Sequence, residues 1–165
     1  MSLIHQKLYQ SDNLATINLK WYTQELIAYM RDCFDIDSRI RFLIEAEELL
    51  LDVAQAVPVG LILNEAVTNS IKYAFTDGRL GTISVNIDQT DDGFCFIAIK
   101  DNGIGLPEDF DIEGLNSLGF NLMRGVAEQL EGLFEITSEN GLLINVSFPV
   151  KRQFTNIATV EVKAA

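Results

Sequence analysis

The segment FCFIAIKDNGIG, residues 94–105, restricts the fold more than any other stretch. Cys95 to Lys100 reads as a buried strand, and Asp101-Asn102-Gly103 is a tripeptide that reverses chains. A hairpin would then return with a second strand of alternating apolar residues. Instead Gly105 follows, then Leu106-Pro107 and an acidic stretch with no period of two. The strand therefore closes on an acid and two glycines and runs into a loop, so its partners must come from elsewhere in the chain.

The surrounding pattern supplies them. Thr82–Asp88 alternates, Asp91-Asp92-Gly93 turns the chain, and Phe94–Lys100 returns as partner. A second hairpin is expected from Leu133–Ser138 and Leu142–Phe148 about Glu139-Asn140-Gly141, with Pro149 ending the sheet. Arg39–Glu45 reads as a further strand, with a short extended piece near Glu48–Leu51. Three helices are expected. The first runs from about Leu19 to Phe34, capped by Asn18 and burying Trp21, Leu26, Ile27 and Met30. The second runs from about Val53 to Tyr73, with Pro58 in its opening turns. The third runs from about Leu118 to Leu130 and is stopped by Gly132. Ile4–Gln10 reads as a short amphipathic fragment. Strands paired by hairpins and interrupted by helices give an α+β fold, a mixed and mainly antiparallel sheet with helices on one face.

The second helix carries an unusual polar stripe within LILNEAVTNSIKYAF, residues 61–75. At roughly 100° per residue, Glu65, Asn69, Lys72 and Tyr73 fall within about a quarter turn. Leu63, Ala66, Val67, Ser70, Ile71 and Ala74 fall opposite. A solvated face would spread long charged side chains over a wider arc. This stripe combines an acid, an amide, an amine and an aromatic ring, which suit a cation, an anion and a planar group. The Asn69 amide oxygen is a hard ligand suited to Mg²⁺, whose other ligands are water and phosphate oxygens. Glu65 lies one turn away, in reach of a nucleophile as general base. Lys72 offers a mobile positive charge for phosphate, and Tyr73 a surface for a base or ribose.

Composition sets conditions on that site. The formal net charge of the 165 residues is −12 and the isoelectric point is about 4.3. Such a surface repels phosphate backbones and anionic lipid, which argues against nucleic-acid binding and direct membrane contact. An anionic ligand must therefore find local positive potential at helix N-termini, a lysine or a bound cation. Cys33 and Cys95 make no metal spacing and read as two core thiols of an intracellular protein. The single histidine argues against zinc. No apolar run approaches the ~20 residues that span a bilayer. Met1-Ser2-Leu3 has the look of an expression leader, and the chain that of one domain of a longer protein.

Asp101 and the two glycines fit the same ligand. A carboxylate at a strand end can accept from the exocyclic amine of adenine, while Gly103 and Gly105 let the backbone approach the ring. Gly114 to Phe120 opens the third helix, where free amides and the helix dipole would cradle phosphates. The ordered set E-x-x-x-N-x-x-K-Y, D-N-G-I-G, S-L-G-F at a helix start, and a glycine-led strand ending F-P resembles the GHKL ATPase superfamily. That likeness covers about Arg39 to Pro149 and implies the Bergerat fold, an α/β sandwich. AVPVGLILNEAVTNSIKYAF resembles the N-box of bacterial sensor histidine kinases, in the subgroup with glutamate in the first position.

The resemblance implies ATP and Mg²⁺ as cofactors, with Asn69 on the metal and Lys72 and Tyr73 on the nucleotide. It places Asp101 on adenine, with Gly103, Ile104 and Gly105 as first glycine box and Ser117, Leu118 and Gly119 as second. Glu65 would be the catalytic carboxylate. By the same likeness residues 1–17 are the remnant of a dimerisation helix and linker, residues 18–150 the ATP-binding catalytic domain, and residues 151–165 an unassigned tail. The implied partners are the protein's own phosphoacceptor helices and a response regulator, and the implied location is cytoplasmic. Two departures stand out: no clear phenylalanine motif lies between the glycine boxes, and Gly141-Leu142-Leu143 lacks the threonine often found there. His5, in IHQKLY, matches the end of a helical tail and not an acceptor motif. Rival readings are an anti-sigma-factor-type serine kinase and a non-enzymatic ATP-binding interaction module.

Overall fold

The computed structural model describes residues 16–36, 38–111 and 117–151. In order these form β1 (Thr16–Asn18), α1 (Leu19–Cys33), β2 (Ile40–Ala46), β3 (Leu50–Asp52) and α2 (Val53–Asn69). A π-helical turn (Ser70–Ala74) and a short 3-10 turn (Thr76–Gly78) follow. The rest is β4 (Gly81–Gln89), β5 (Phe94–Asp101), α3 (Leu118–Gln129), β6 (Leu133–Thr137) and β7 (Leu143–Pro149).

Alternation builds the main sheet. Ile83, Val85 and Ile87 on β4, Cys95, Ile97 and Ile99 on β5, and Ile144, Val146 and Phe148 on β7 are buried in one core with the helices. The intervening residues lie on the other, open face, where Phe94 and Phe96 are exposed. Strand order is β2-β4-β5-β7-β6, antiparallel throughout except for the parallel β2–β4 pair. The expected α+β architecture, a mainly antiparallel sheet with helices on one face, is what the chain adopts. Strand parity then decides the site: counting from Cys95 in steps of two puts Asp101 on the helix-covered side, and its side chain is buried.

Four local expectations need correction. Trp21 is exposed, because the buried arc of α1 is set by Leu19, Tyr22, Thr23, Leu26, Ile27 and Met30, a 3- and 4-residue spacing that skips it. Cys33 is exposed at the end of that helix and only Cys95 is a core thiol. Pro58 is the sixth residue of α2 and buried, deeper than the first turn, while Asp52 caps the helix by accepting from Gln55 N at 2.8 Å. The residue that leaves α3 in the left-handed region is Glu131 (φ 59°), not Gly132. Gly132 is needed for close approach, since a Cβ there would sit 2.3 Å from Ser147 O.

The N-cap of α1 is as expected, with Asn18 accepting from Trp21 N at 3.0 Å. The small antiparallel pair β1–β3 was not foreseen; Thr16 pairs with Asp52 and Asn18 with Leu50. It ties the entry of α1 to the entry of α2. The expected fragment Ile4–Gln10 and His5 lie outside the described residues.

Candidate functional site

The helical stripe is real up to Asn69, and there the backbone changes. Residues Ser70–Ala74 form a π-helical turn, whose wider winding shifts each following side chain relative to a 3.6-residue helix. Ser70, expected on the apolar side, is buried there and meets the sheet, whereas Lys72 is exposed and outside the cavity lining. Tyr73 stays on the cavity, 65% exposed.

A cavity of about 480 Å³ opens between the end of α2, the end of β5, the following loop and the start of α3. Among the residues singled out from sequence, Asn69, Tyr73, Asp101, Ile104, Gly105 and Ser117 line it. Glu65, Gly103 and Gly119 stand behind that lining. A Cβ built on Gly119 would lie 3.4 Å from both Asn69 Nδ2 and Glu65 Oε2, so those three share one corner. Leu118 is 87% exposed and outside the lining. Gly114, Leu115 and Asn116 lie outside the described residues.

Asp101 is held from three directions. Its Oδ1 accepts from Gly103 N at 2.9 Å and from Leu142 N at 3.2 Å, and its Oδ2 accepts from the Ser70 hydroxyl at 2.7 Å. Three donors on a carboxylate that is 2% exposed hold its plane at the cavity floor. The neighbouring Asn102 has a separate task. Its Oδ1 accepts from Thr82 N at 2.7 Å, which finishes the β4–β5 pairing after the ladder ends. Hence D-N-G fails to make a hairpin: the asparagine ties back to the preceding strand while the glycines go forward.

The glycines are required by contact. A Cβ on Gly103 would lie 2.4 Å from both the Cβ and the carbonyl oxygen of Ala74, and Ile104 N donates to that oxygen at 3.0 Å. The first glycine box is thus pinned to the π turn. Gly105 has φ 71°, and Leu106 N donates to Ser138 Oγ at 2.8 Å, which pins the loop to the β6–β7 hairpin as well. Gly141 (φ 114°) lies so close that a Cβ would be 2.0 Å from Asp101 O.

Sequence reasoning missed part of the lining. Ser70 was hidden among the apolar residues of its helix side. Phe110 and Phe120 both line the cavity and pack edge to face, centroids 5.8 Å apart at 73°. No phenylalanine motif had been recognised there, though two phenylalanines ten residues apart flank the loop. Leu142, expected only as strand, completes the floor with Leu106 and Pro107.

A metal would have few protein donors here, as no cluster of three or more His, Cys, Asp or Glu that could hold one exists among the described residues. That suits Mg²⁺, which keeps most of its waters and takes one or two protein ligands plus phosphate oxygens. The Asn69 amide beside the Glu65 carboxylate fits such a partial shell. Ser117 is the N-cap of α3 without a capping bond from its own side chain.

Residues 54–152 match the family described as histidine kinase-, DNA gyrase B- and HSP90-like ATPases. The chain is 28% identical over 131 residues to blue-light-activated histidine kinase 2 of Erythrobacter litoralis, covering 78% of this chain and 38% of that protein. It is 26% identical over 157 residues to the sensor histidine kinase PdtaS of Mycobacterium tuberculosis, covering 93% and 31%. It thus spans well under half of these relatives. The solved histidine kinase domain of the Erythrobacter litoralis EL346 blue-light activated histidine kinase superposes with a TM-score of 0.78 at 25% identity, over 90% of this chain and 70% of that one. The catalytic domain of the histidine kinase ThkA, at 19% identity, shares the fold with a TM-score of 0.69, over 84% and 97%. With a family match over more than half of its length, the chain belongs to the histidine kinase-, DNA gyrase B- and HSP90-like ATPase family.

Proposed function

We propose that this chain is the ATP-binding catalytic portion of a sensor histidine kinase. Residues 18–150 take up Mg²⁺-ATP and transfer its γ-phosphoryl group to a histidine on a dimerisation helix outside them. The bond from the γ-phosphorus to the bridging oxygen breaks, a phosphorus–nitrogen bond to the imidazole forms, and ADP leaves. An aspartate on a response regulator accepts the group in turn. The observation that carries this reading is the convergence of Asn69, Asp101, Gly105 and Ser117 on one cavity, with Glu65 and Gly119 at its edge.

Each residue has a physical task in this scheme. Asp101 accepts from the adenine amino group, and the close packing of Gly103 on Ala74 and of Gly105 on Ser138 fixes the loop that borders the ring. Ile104, Tyr73, Phe110 and Phe120 offer apolar area to base and ribose. The uncapped start of α3, at Ser117, Leu118 and Gly119, presents amides to the phosphates. Lys72, on the exposed turn beside the cavity, adds a positive charge when it swings inward. Asn69 would hold Mg²⁺, which supplies charge neutralisation on the phosphates. Glu65 orients and polarises the attacking imidazole, so catalysis is positioning plus electrostatics. The glutamate-first N-box assignment belongs to this proposal, as does a cytoplasmic site of action.

The decisive experiment restores the upstream helices of the parent and follows label from γ-labelled ATP. The expected product is an acid-labile, base-stable phosphohistidine. Glu65→Gln should slow its formation by roughly 10²-fold, the size of a lost general base, with ATP affinity changed less than twofold. Label on serine instead of histidine would overturn the assignment.

A further inference from the structure

Of the residues lining the cavity, only Ser70 and Asp101 are both polar and buried, at 5% and 2% exposure. We propose that Ser70 is a specificity-determining residue. By committing its hydroxyl proton to Asp101 it presents the bound base with acceptors only, and so selects a 6-amino over a 6-oxo purine. This rests on reading the cavity as a purine nucleotide site.

A carboxylate has about four lone-pair sites and a hydroxyl has one proton and two lone pairs. The two sites on Asp101 Oδ1 are taken by Gly103 N at 2.9 Å and Leu142 N at 3.2 Å. Ser70 Oγ takes one site on Oδ2 at 2.7 Å. What is left facing the cavity is one site on Oδ2 and the lone pairs of Ser70. A helical serine commonly turns its proton to a carbonyl of its own preceding turn. Here the proton instead crosses 31 residues of sequence to the sheet. Ser70 keeps ordinary helical torsions (φ −62°, ψ −43°) at the end of α2 and lies on its buried side toward the sheet, so its hydroxyl meets Asp101.

The consequence is a two-oxygen floor without a donor. An exocyclic amine satisfies it. A carbonyl in the same place meets two acceptors, and Ser70 can donate to it only by abandoning Asp101, leaving a buried charge one hydrogen bond short. Removing the hydroxyl would admit water, which donates or accepts at no such cost. The floor would then lose its preference.

The test is calorimetric titration of the whole chain with Mg²⁺-ATP and Mg²⁺-ITP, alongside S70A and S70T, with thermal unfolding recorded for each. The parent should favour ATP. S70A should bind ITP about tenfold more tightly than the parent does, the size of the hydrogen bond to a charged group that the oxo purine no longer breaks, and ATP within twofold of the parent, so the ratio narrows about fivefold or more. S70T keeps the hydroxyl and should keep the ratio within twofold. Should S70A prove unstable, S70C replaces it, a thiol being a weak donor, and the ratio should again narrow. An unchanged ratio in a folded S70A or S70C, or a parent that binds both nucleotides equally, overturns the inference while leaving the ATP site intact. A folded parent that binds neither overturns both.

Discussion

At the scale of single residues, Asp101 concentrates the chemistry. Its position was legible from sequence because a strand has a period of two and an acid on the buried parity demands an explanation. Its partner Ser70 was not, because a serine on the buried side of a helix does not announce which residue of the sheet it will meet. Replacing Asp101 by asparagine keeps one oxygen for the two backbone amides but turns an NH₂ toward the cavity. ATP affinity should fall at least tenfold, since hydrogen bonds to charge contribute roughly 1.5–3 kcal/mol, while the unfolding temperature drops only a few degrees. Calorimetry beside thermal melts separates the two. The cysteines give a second residue-level expectation. Burial first, and the nearby Asp88 charge second, push the Cys95 thiol from the ordinary 9.0 up to about 12, whereas Cys33 is exposed. At pH 8 a disulfide reagent should label one thiol per folded chain and two after denaturant. The sign for stability follows. Above pH 9.0 the unfolded chain ionises Cys95 and the folded chain does not, so stability present below that pH declines toward pH 12. A second thiol reacting at once in the native protein would contradict the burial.

Among elements, the ones readable from sequence are those whose signal is local. The cap at Asn18, the alternating β4 and β5, and the Asn140-Gly141 turn each carry their own residues. Those that were not readable rest on distant contacts. The β1–β3 pair joins three-residue strands more than thirty residues apart, too short for any period to show. The end of α2 as a regular helix was misjudged for the same reason. The β6–β7 turn illustrates how one element serves another. Gly141 turns the hairpin at φ 114° and lies against Asp101 O, while Ser138 in the same turn holds Leu106 N. Gly141→Ala puts a methyl 2.0 Å from that oxygen in a backbone region suited to glycine. Backbone strain alone costs about 1–3 kcal/mol, and the clash adds to it. The expected outcome is a lower unfolding temperature together with loss of ATP binding, because the strand end carrying Asp101 must shift. Gly93→Ala, at another left-handed glycine whose Cβ would meet nothing within 4 Å, should lower stability with ATP affinity unchanged. If both variants keep full affinity, the hairpin has no hold on the site.

For the whole molecule the governing quantity is charge. A chain of net charge −12 has to bind a tetra-anion in a cavity whose floor is itself a carboxylate. Long-range repulsion of this kind is only partly screened at physiological salt, where the Debye length is about 8 Å. The described residues offer little to oppose it: an exposed Lys72, the amides at the start of α3, and no cluster of acids that would hold a metal without the nucleotide. Metal and nucleotide should therefore enter together, each making the other's site. Chelating Mg²⁺ with EDTA is expected to weaken ATP binding at least tenfold, and added Mg²⁺ alone should give no measurable heat. Asn69→Ala should bring ATP binding in Mg²⁺ down to the level seen in EDTA and make it indifferent to the metal, without changing the fold by circular dichroism. Binding that is equally tight in EDTA would mean that backbone amides and a lysine alone overcome the molecule's negative field, and the role of Asn69 would fall with it.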